Sequence, residues 1–387
     1  MLGHIINRMA LIGAVLTLWL GTTALVPAHA QQASHSTSHS VMSGTLMLGG
    51  SITSTAHIAM KGAFSVGHAS NLTWNLPRFT SVTMSGYTEQ IDDLAYRFDI
   101  APDSSTDMEV DGQPVRQFTW AAPPANTVIH VTVSMRTIVH SDLAPFHSTA
   151  GYPIGTEGGD AARYLTVSPQ VQLPASAKPL LASFAAGKTS EEAVVDAVVN
   201  WVAAHVRYDS RTAGSISAAS VLKGRRTICE GYVNLTTGML RALGIPARAE
   251  YGWISANQLS LPGPDHGSSY IRWSVPGTAG ELHTWLSVYF PNSGWVPIDP
   301  QREKFFVDPH HIAFFPAMEA GNVQLGAWTA DYQGNESPTG GQLPNSDIEI
   351  VPGADAASTV TLQSSDTVHA TFHQLKHDVK GVLLFSR

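Results

Sequence analysis

Cysteine is almost missing from this chain: Cys229 is the single one among 387 residues. One thiol cannot close an internal disulfide or build a cysteine-rich zinc site. Charge is scarce as well. Asp, Glu, Lys and Arg make up 13% of the residues, and 22 basic against 30 acidic side chains leave a formal charge of −8. That balance gives no basic footprint for nucleic acid. A His-Glu-x-x-His pair, a Walker loop, a Gly-x-Ser-x-Gly elbow and a dinucleotide glycine pattern are all missing. Zinc-protease, nucleotide-binding, serine-hydrolase and Rossmann chemistries therefore have no signature here. The 17 histidines do not change this. His35 and His39 lie in a polar tail, while His310, His311, His373 and His377 read as polar loop or strand residues. No metal ligand and no cofactor is expected.

Residues 1–30 read as an export signal. Arg8 lies in a short start, the apolar run Met9 to Leu20 follows, and Ala28-His29-Ala30 comes after Pro27. Met9 to Val26 is uncharged and nearly long enough to span a bilayer, so an uncleaved anchor is the alternative. Cleavage after Ala30 removes Arg8 and takes the formal charge from −8 to −9. The mature protein is then expected in the periplasm or secreted, with no membrane span.

Residues 31–45, rich in Ser, Thr and His, read as a flexible lead-in. Over 46–170 short alternating runs such as Thr127 to Val133 are punctuated by Pro77, Asp111-Gly112 and Pro123-Pro124. That is the pattern of a β-sandwich-like module. Residues 171–187, with Pro174 and Pro179, read as a linker. Thr189 as N-cap with Glu192 three residues on forms a capping box. Val194, Val195, Val198, Trp201, Val202 and Val206 then predict a helix over 190–207, with His205 packed on or beside the apolar stripe. The core expected at 188–320 is followed by an extension, 321–387, whose short strands form a terminal sheet or return to the first module.

Downstream of Cys229, the residues Tyr232, Leu235, Thr236, Met239, Leu240 and Leu243 mark one face of a helix. Gly244 terminates it in a left-handed conformation and Pro246 blocks its continuation. Cys229 thus falls in the first helical turn, where the positive end of the macrodipole favours thiolate over thiol. The cysteine alone leaves two readings open: a nucleophile, or a buried inert thiol.

Three strand-like runs follow, at 247–254, 283–290 and 294–299, the last two joined by Pro291-Asn292-Ser293-Gly294 as a hairpin. Side chains alternate faces along a strand. His283 and Asp299 share a face only if the loop has odd length or carries a bulge, which Gly294 could supply. With the faces matched, Cys229 is a nucleophile, His283 its base and Asp299 the group that orients the imidazole.

Residues 190–302 resemble the transglutaminase-like superfamily of papain-related thiol enzymes. The resemblance is carried by Trp201-Val202, Val206-Arg207-Tyr208-Asp209, Cys229-Glu230-Gly231-Tyr232 and Leu240 to Arg248. It continues through His283-Thr284-Trp285, Gly294-Trp295-Val296 and Asp299-Pro300. It implies that Cys229, His283 and Asp299 are catalytic. Two positions depart from the pattern: Thr227 stands where many members have glycine, and Ser287 where an acidic residue is common. Ser287 reads as a secondary or surface change.

The resulting expectation is an α+β, transglutaminase-like and papain-like core, with the cysteine helix packed on an antiparallel sheet, behind a β-sandwich-like module. Its activity is acyl transfer from an amide of a peptide or protein substrate through an acyl-enzyme. Hydrolysis is favoured, because water is present everywhere. The alternatives are a cross-linking transglutaminase and a non-catalytic envelope module.

Overall fold

The computed structural model describes residues 45–49, 51–110, 113–155, 160–212, 214, 216–254, 259–262, 270–273, 281–301 and 303–321, with short strands at 327–332, 349–352, 356–357, 361–364 and 384–386. The export signal, nearly all of the lead-in, and His373 and His377 lie outside them. Among the described residues no helix is long and apolar enough to cross a membrane. The fold is mixed, mostly antiparallel sheets with few helices.

The first module is built from long strands that alternate as the sequence predicts. Over Thr127–Asp142 every second residue from Ile129 to Ser141 is buried. This strand pairs along its whole length with Ser51–Val66 and also with Tyr87–Phe98. A second sheet joins Ala69–Pro77, Gln113–Trp120 and Ser104–Val110. Phe64, Trp74, Phe118 and Val133 lie in one core cluster shared by strands of both sheets. The extension returns to this module: Ala327–Tyr332 pairs with Ala69–Pro77, and Glu349–Pro352 with Ser51–Val66.

Four antiparallel strands form the sheet of the core, in the order Gly294–Ile298, Glu281–Phe290, Ala247–Ile254, His311–Ala317. Helix α1, Lys178–Ala185, lies within the stretch expected as a linker. Pro179 sits in its first turn, where a missing N–H costs nothing. Helix α2 runs Glu191–His205 and is capped by Ser190, whose hydroxyl accepts from the Ala193 N–H, not by Thr189. Glu192 instead accepts from the Ser148 N–H, so the expected capping box is absent. His205 is exposed and stacks on Trp201 at 4.6 Å, beside the apolar stripe. Helix α3 is Ala218–Gly224 and α4 is Cys229–Ala242.

Helix α4 departs from the one-sided helix that its periodicity predicts: every residue from Gly231 to Arg241 is buried. Two polar residues on its other face are held by the chain around it. Asn234 donates to Ile216 O and Ala320 O and accepts from the Ala320 N–H. The Arg241 guanidinium donates to Ala247 O, Thr166 O and Met318 O. Gly238 abuts Val171, whose carbonyl oxygen would lie 2.2 Å from an added Cβ. Val198, Val233, Leu235, Leu240, Leu286, Val288 and Ile298 form the core joining α2, α4 and the sheet. Trp253, Trp285, Ile312 and Phe314 belong instead to the core cluster of the first module. The sheet of the core is thereby fixed between helices and module.

Candidate active site

The helix that begins at Cys229 has Ile228 in its N-cap position, and Ile228 supplies no capping side chain. The Gly231 N–H closes onto Ile228 O at 3.0 Å, and no side chain caps the turn before it, the position at which helices meet anions. The thiol is half-buried. Gly231 holds the turn tight against Thr227, which is fully buried beneath it.

The hairpin brings His283 and Asp299 to one face. Phe290 pairs with Gly294, so its loop is the three residues 291–293. The Ser293 N–H donates to Phe290 O at 3.0 Å, and Gly294 takes a φ of +73°, a conformation that favours glycine. The odd loop length sets the register Ser287↔Pro297 and keeps the odd-numbered side chains together. His283 Nε2 lies 3.1 Å from Asp299 Oδ2, with both side chains buried. The other carboxylate oxygen, Oδ1, accepts from the Gln301 N–H at 3.0 Å.

Cys229 lies within hydrogen-bond reach of the His283 ring. Nε2 is engaged by Asp299, which leaves Nδ1 for the thiol. Burial opposes a charge on His283, but the Asp299 carboxylate and then Cys229 outweigh it and push the imidazole up to about 9. Burial likewise opposes ionisation of Asp299, but the hydrogen bond and charge of His283, aided by His311, hold it well below the usual carboxylate range. Beside this group, Glu230 is raised by burial, and Tyr251, whose hydroxyl accepts from the Gly321 N–H, is raised by burial and by nearby Glu230 and Cys229.

Residues 178–300 match the transglutaminase-like superfamily. The matched segment contains Cys229, His283 and Asp299. A candidate cysteine protease from Cytophaga hutchinsonii superposes with a TM-score of 0.51 at 15% identity, covering 87% of this chain and 98% of that one. The matched segment is therefore transglutaminase-like, and the chain shares its fold with that candidate cysteine protease. The periplasmic domain of TgpA from Pseudomonas aeruginosa aligns at 17% identity and a TM-score of 0.31, over 67% of this chain and 90% of that one. Among curated proteins, the uncharacterized protein YebA of Bacillus subtilis is 31% identical over 94 residues, which is 24% of this chain and 12% of YebA.

Behind Cys229, His283 and Asp299 lies a buried ionic cluster that the sequence did not announce. After Asp299 the chain bridges back on itself, with the Glu303 N–H donating to Asp299 O at 2.8 Å. Asp308 and His311 follow, His311 opening the edge strand of the sheet. His311 Nδ1 is 3.1 Å from Asp308 Oδ1, and Glu303 Oε2 accepts from the Asp308 N–H at 2.9 Å. Burial, and then the charges of Asp308 and Asp299, hold the Glu303 carboxyl well above the usual range. Two triplets, His283–Asp299–His311 and Glu303–Asp308–His311, bring donor atoms within 4.8 Å of one another, a spacing that would also suit a metal ion. The ion pairs just described account for that spacing. The one sequence signal was His310-His311, read as polar loop or strand residues. Ser287, read as a secondary or surface change, is fully buried and donates to Met84 Sδ at 3.0 Å.

Proposed function

We propose that this protein is an exported thiol acyl-transfer enzyme that hydrolyses an amide bond of a peptide or protein. The observation that carries the reading is one imidazole, His283, held between a carboxylate at Nε2 and the only thiol of the chain. In this reading His283 takes the Cys229 proton and the thiolate attacks the amide carbonyl. The Cys229 N–H, at the uncapped start of α4, faces the developing oxyanion. The tetrahedral adduct collapses, the C–N bond breaks, and the imidazolium gives its proton to the leaving amine. A thioester remains on Cys229. Water, deprotonated by His283, then releases the acid and regenerates the thiol. Asp299 fixes the tautomer that presents Nδ1 to sulfur.

Hydrolysis is favoured over transfer to an amine because water is present everywhere and Cys229 is only half-buried. Export rests on the apolar start of the sequence and the Ala28-His29-Ala30 site.

The test uses the single cysteine. Iodoacetamide labelling followed by intact mass reports on Cys229 alone, and at pH 6 His283→Ala should slow it at least about tenfold. Incubation with peptide amides should give a thioester adduct that water discharges. An added lysine analogue that captured the acyl group in preference to water would turn the reading to cross-linking. Equal labelling rates in wild type and His283→Ala would remove the catalytic reading.

A further inference from the structure

Asp299 does not serve His283 alone. The same carboxylate oxygen, Oδ2, that is 3.1 Å from His283 Nε2 is 3.7 Å from His311 Nε2. The two rings stand 5.4 Å apart at 57°. Trp285 fixes both: it stacks on His283 at 6.1 Å and presents a T-shaped contact to His311 at 5.0 Å. On its far side His311 Nδ1 meets Asp308 Oδ1 at 3.1 Å and Glu303 Oε2 at 3.7 Å. Asp308 Oδ1 is itself anchored by the His310 N–H at 2.8 Å. His311 is fully buried, and both of its nitrogens face carboxylates.

A neutral imidazole carries one N–H, and its other nitrogen is an acceptor that a carboxylate would repel. Two carboxylates on opposite sides of one buried ring therefore call for the doubly protonated form. We propose that His311 is a positioning residue of the site: a second, buried imidazolium that shares Asp299 Oδ2 with His283, keeps that carboxylate aimed, and tempers its pull on the His283 proton. This rests on the catalytic reading of Cys229, His283 and Asp299 given above.

The tempering has a chemical use. In acyl transfer from an amide, His283 must first hold a proton beside the thiolate and then release it to the leaving nitrogen. An imidazolium bound to a carboxylate that no other cation shares is a poor acid for the second step. A neighbouring positive charge 5.4 Å away offsets part of the attraction of Asp299. The groups facing His311 are Asp299, Asp308 and Glu303, with His283 across Asp299 and His310 beside Asp308. Tyr87, from the first module, donates to the backbone oxygen of His311 and pins its strand.

The sign of one shift tests this. Histidine-labelled full-length protein is titrated by NMR, the His283 signal being identified by its loss in His283→Ala. His311→Gln and Asp308→Asn each remove the second cation, one directly and one by removing its anion. Both should raise the titration of His283, His311→Gln by about one pH unit or more and Asp308→Asn by less because an anion leaves with the cation, whereas Asp299→Asn should lower it. A purely structural role for His311 would loosen Asp299 and move His283 down, or leave it in place, and either result overturns the proposal. Asp308→Asn keeps the imidazole itself, so it decides the matter if His311→Gln does not fold. Iodoacetamide labelling of Cys229 in the same samples reports separately on the catalytic reading. An unreactive thiol with the predicted upward shifts would reject that reading while leaving the shared carboxylate standing.

Discussion

A Cβ placed on Gly231 would lie 1.8 Å from Thr227 Oγ1, 2.7 Å from its Cβ and 2.8 Å from its Cγ2. The glycine two residues after Cys229 and the threonine two before it are thus one packing unit. Gly231→Ala should destabilise the protein by about 1–3 kcal/mol and slow Cys229 labelling, because the first turn of α4 must move. The partner substitution gives the sharper expectation. Thr227→Gly clears all three contacts, whereas Thr227→Ala leaves the one at 2.7 Å. In a double-mutant cycle read by urea denaturation, Thr227→Gly should therefore rescue Gly231→Ala more fully than Thr227→Ala does. Additive effects would mean that the two residues do not share a contact.

The pair formed by His283 and Asp299 has a direction in pH. His283 titrates at about 9 in the fold against an ordinary value of 6.5. Below pH 6.5 both folded and unfolded chains are protonated there, and the stabilisation is complete. It is lost as pH rises from 6.5 through 9. The imidazolium needed beside a thiolate follows the same course, so amide turnover should fall on an upper limb near pH 9. Asp299→Asn removes the carboxylate charge and should bring that limb down toward the ordinary histidine value. It should also cut turnover by about a hundredfold or more, since the tautomer is no longer fixed. An unmoved limb in Asp299→Asn would assign it to another group.

The parts of the site that the sequence disclosed are those written locally. Cys229, the apolar spacing behind it and Gly244 with a φ of +78° lie within one helix and its terminus. The strands Ala247–Ile254, Glu281–Phe290 and Gly294–Ile298 appear as alternation, and the loop with Gly294 makes their relative faces readable. What stayed hidden depends on partners far along the chain. His311 is a polar residue like any other until Asp299 and Asp308 are seen on both sides of it. Ser287 looks like a surface position because nothing in 283–290 reveals Met84 against it. Helix α4 shows one apolar face in sequence, and its burial on the other follows from the surrounding chain that holds Asn234 and Arg241. The cap is ambiguous for a different reason: Thr189 and Ser190 are adjacent hydroxyl residues, and only the backbone turn chooses between them.

Glu89 ties the first module to the four-stranded sheet of the core through a proton. Tyr87 Oη lies 2.7 Å from Glu89 Oε2 and 2.7 Å from His311 O. A phenol has one hydrogen, and a carbonyl oxygen can only accept. When the carbonyl takes that hydrogen, the proton between Tyr87 and Glu89 must belong to the carboxyl. Glu89 is fully buried, its Oε2 also accepts from the Ala313 N–H, and burial pushes it up to about 8 against an ordinary 4.5. Between those two values the folded chain binds a proton that the unfolded chain does not. Stability from this group is therefore greatest below pH 4.5, falls as pH rises to 8, and levels above it, a span of a few kcal/mol. Glu89→Gln cannot ionise. It leaves the Ala313 N–H an acceptor but gives up the proton shared with Tyr87, at a cost of about 1–2 kcal/mol near pH 5. Urea midpoints at pH 5 and pH 8.5 should accordingly converge: the variant is weaker than wild type at the lower pH and equal or stronger at the higher. His283, His311 and Glu191 also titrate in this window, so the difference between the two proteins is the quantity that isolates Glu89. Parallel midpoints would show that the carboxyl is already ionised in the fold and that Tyr87 donates to it instead of to His311.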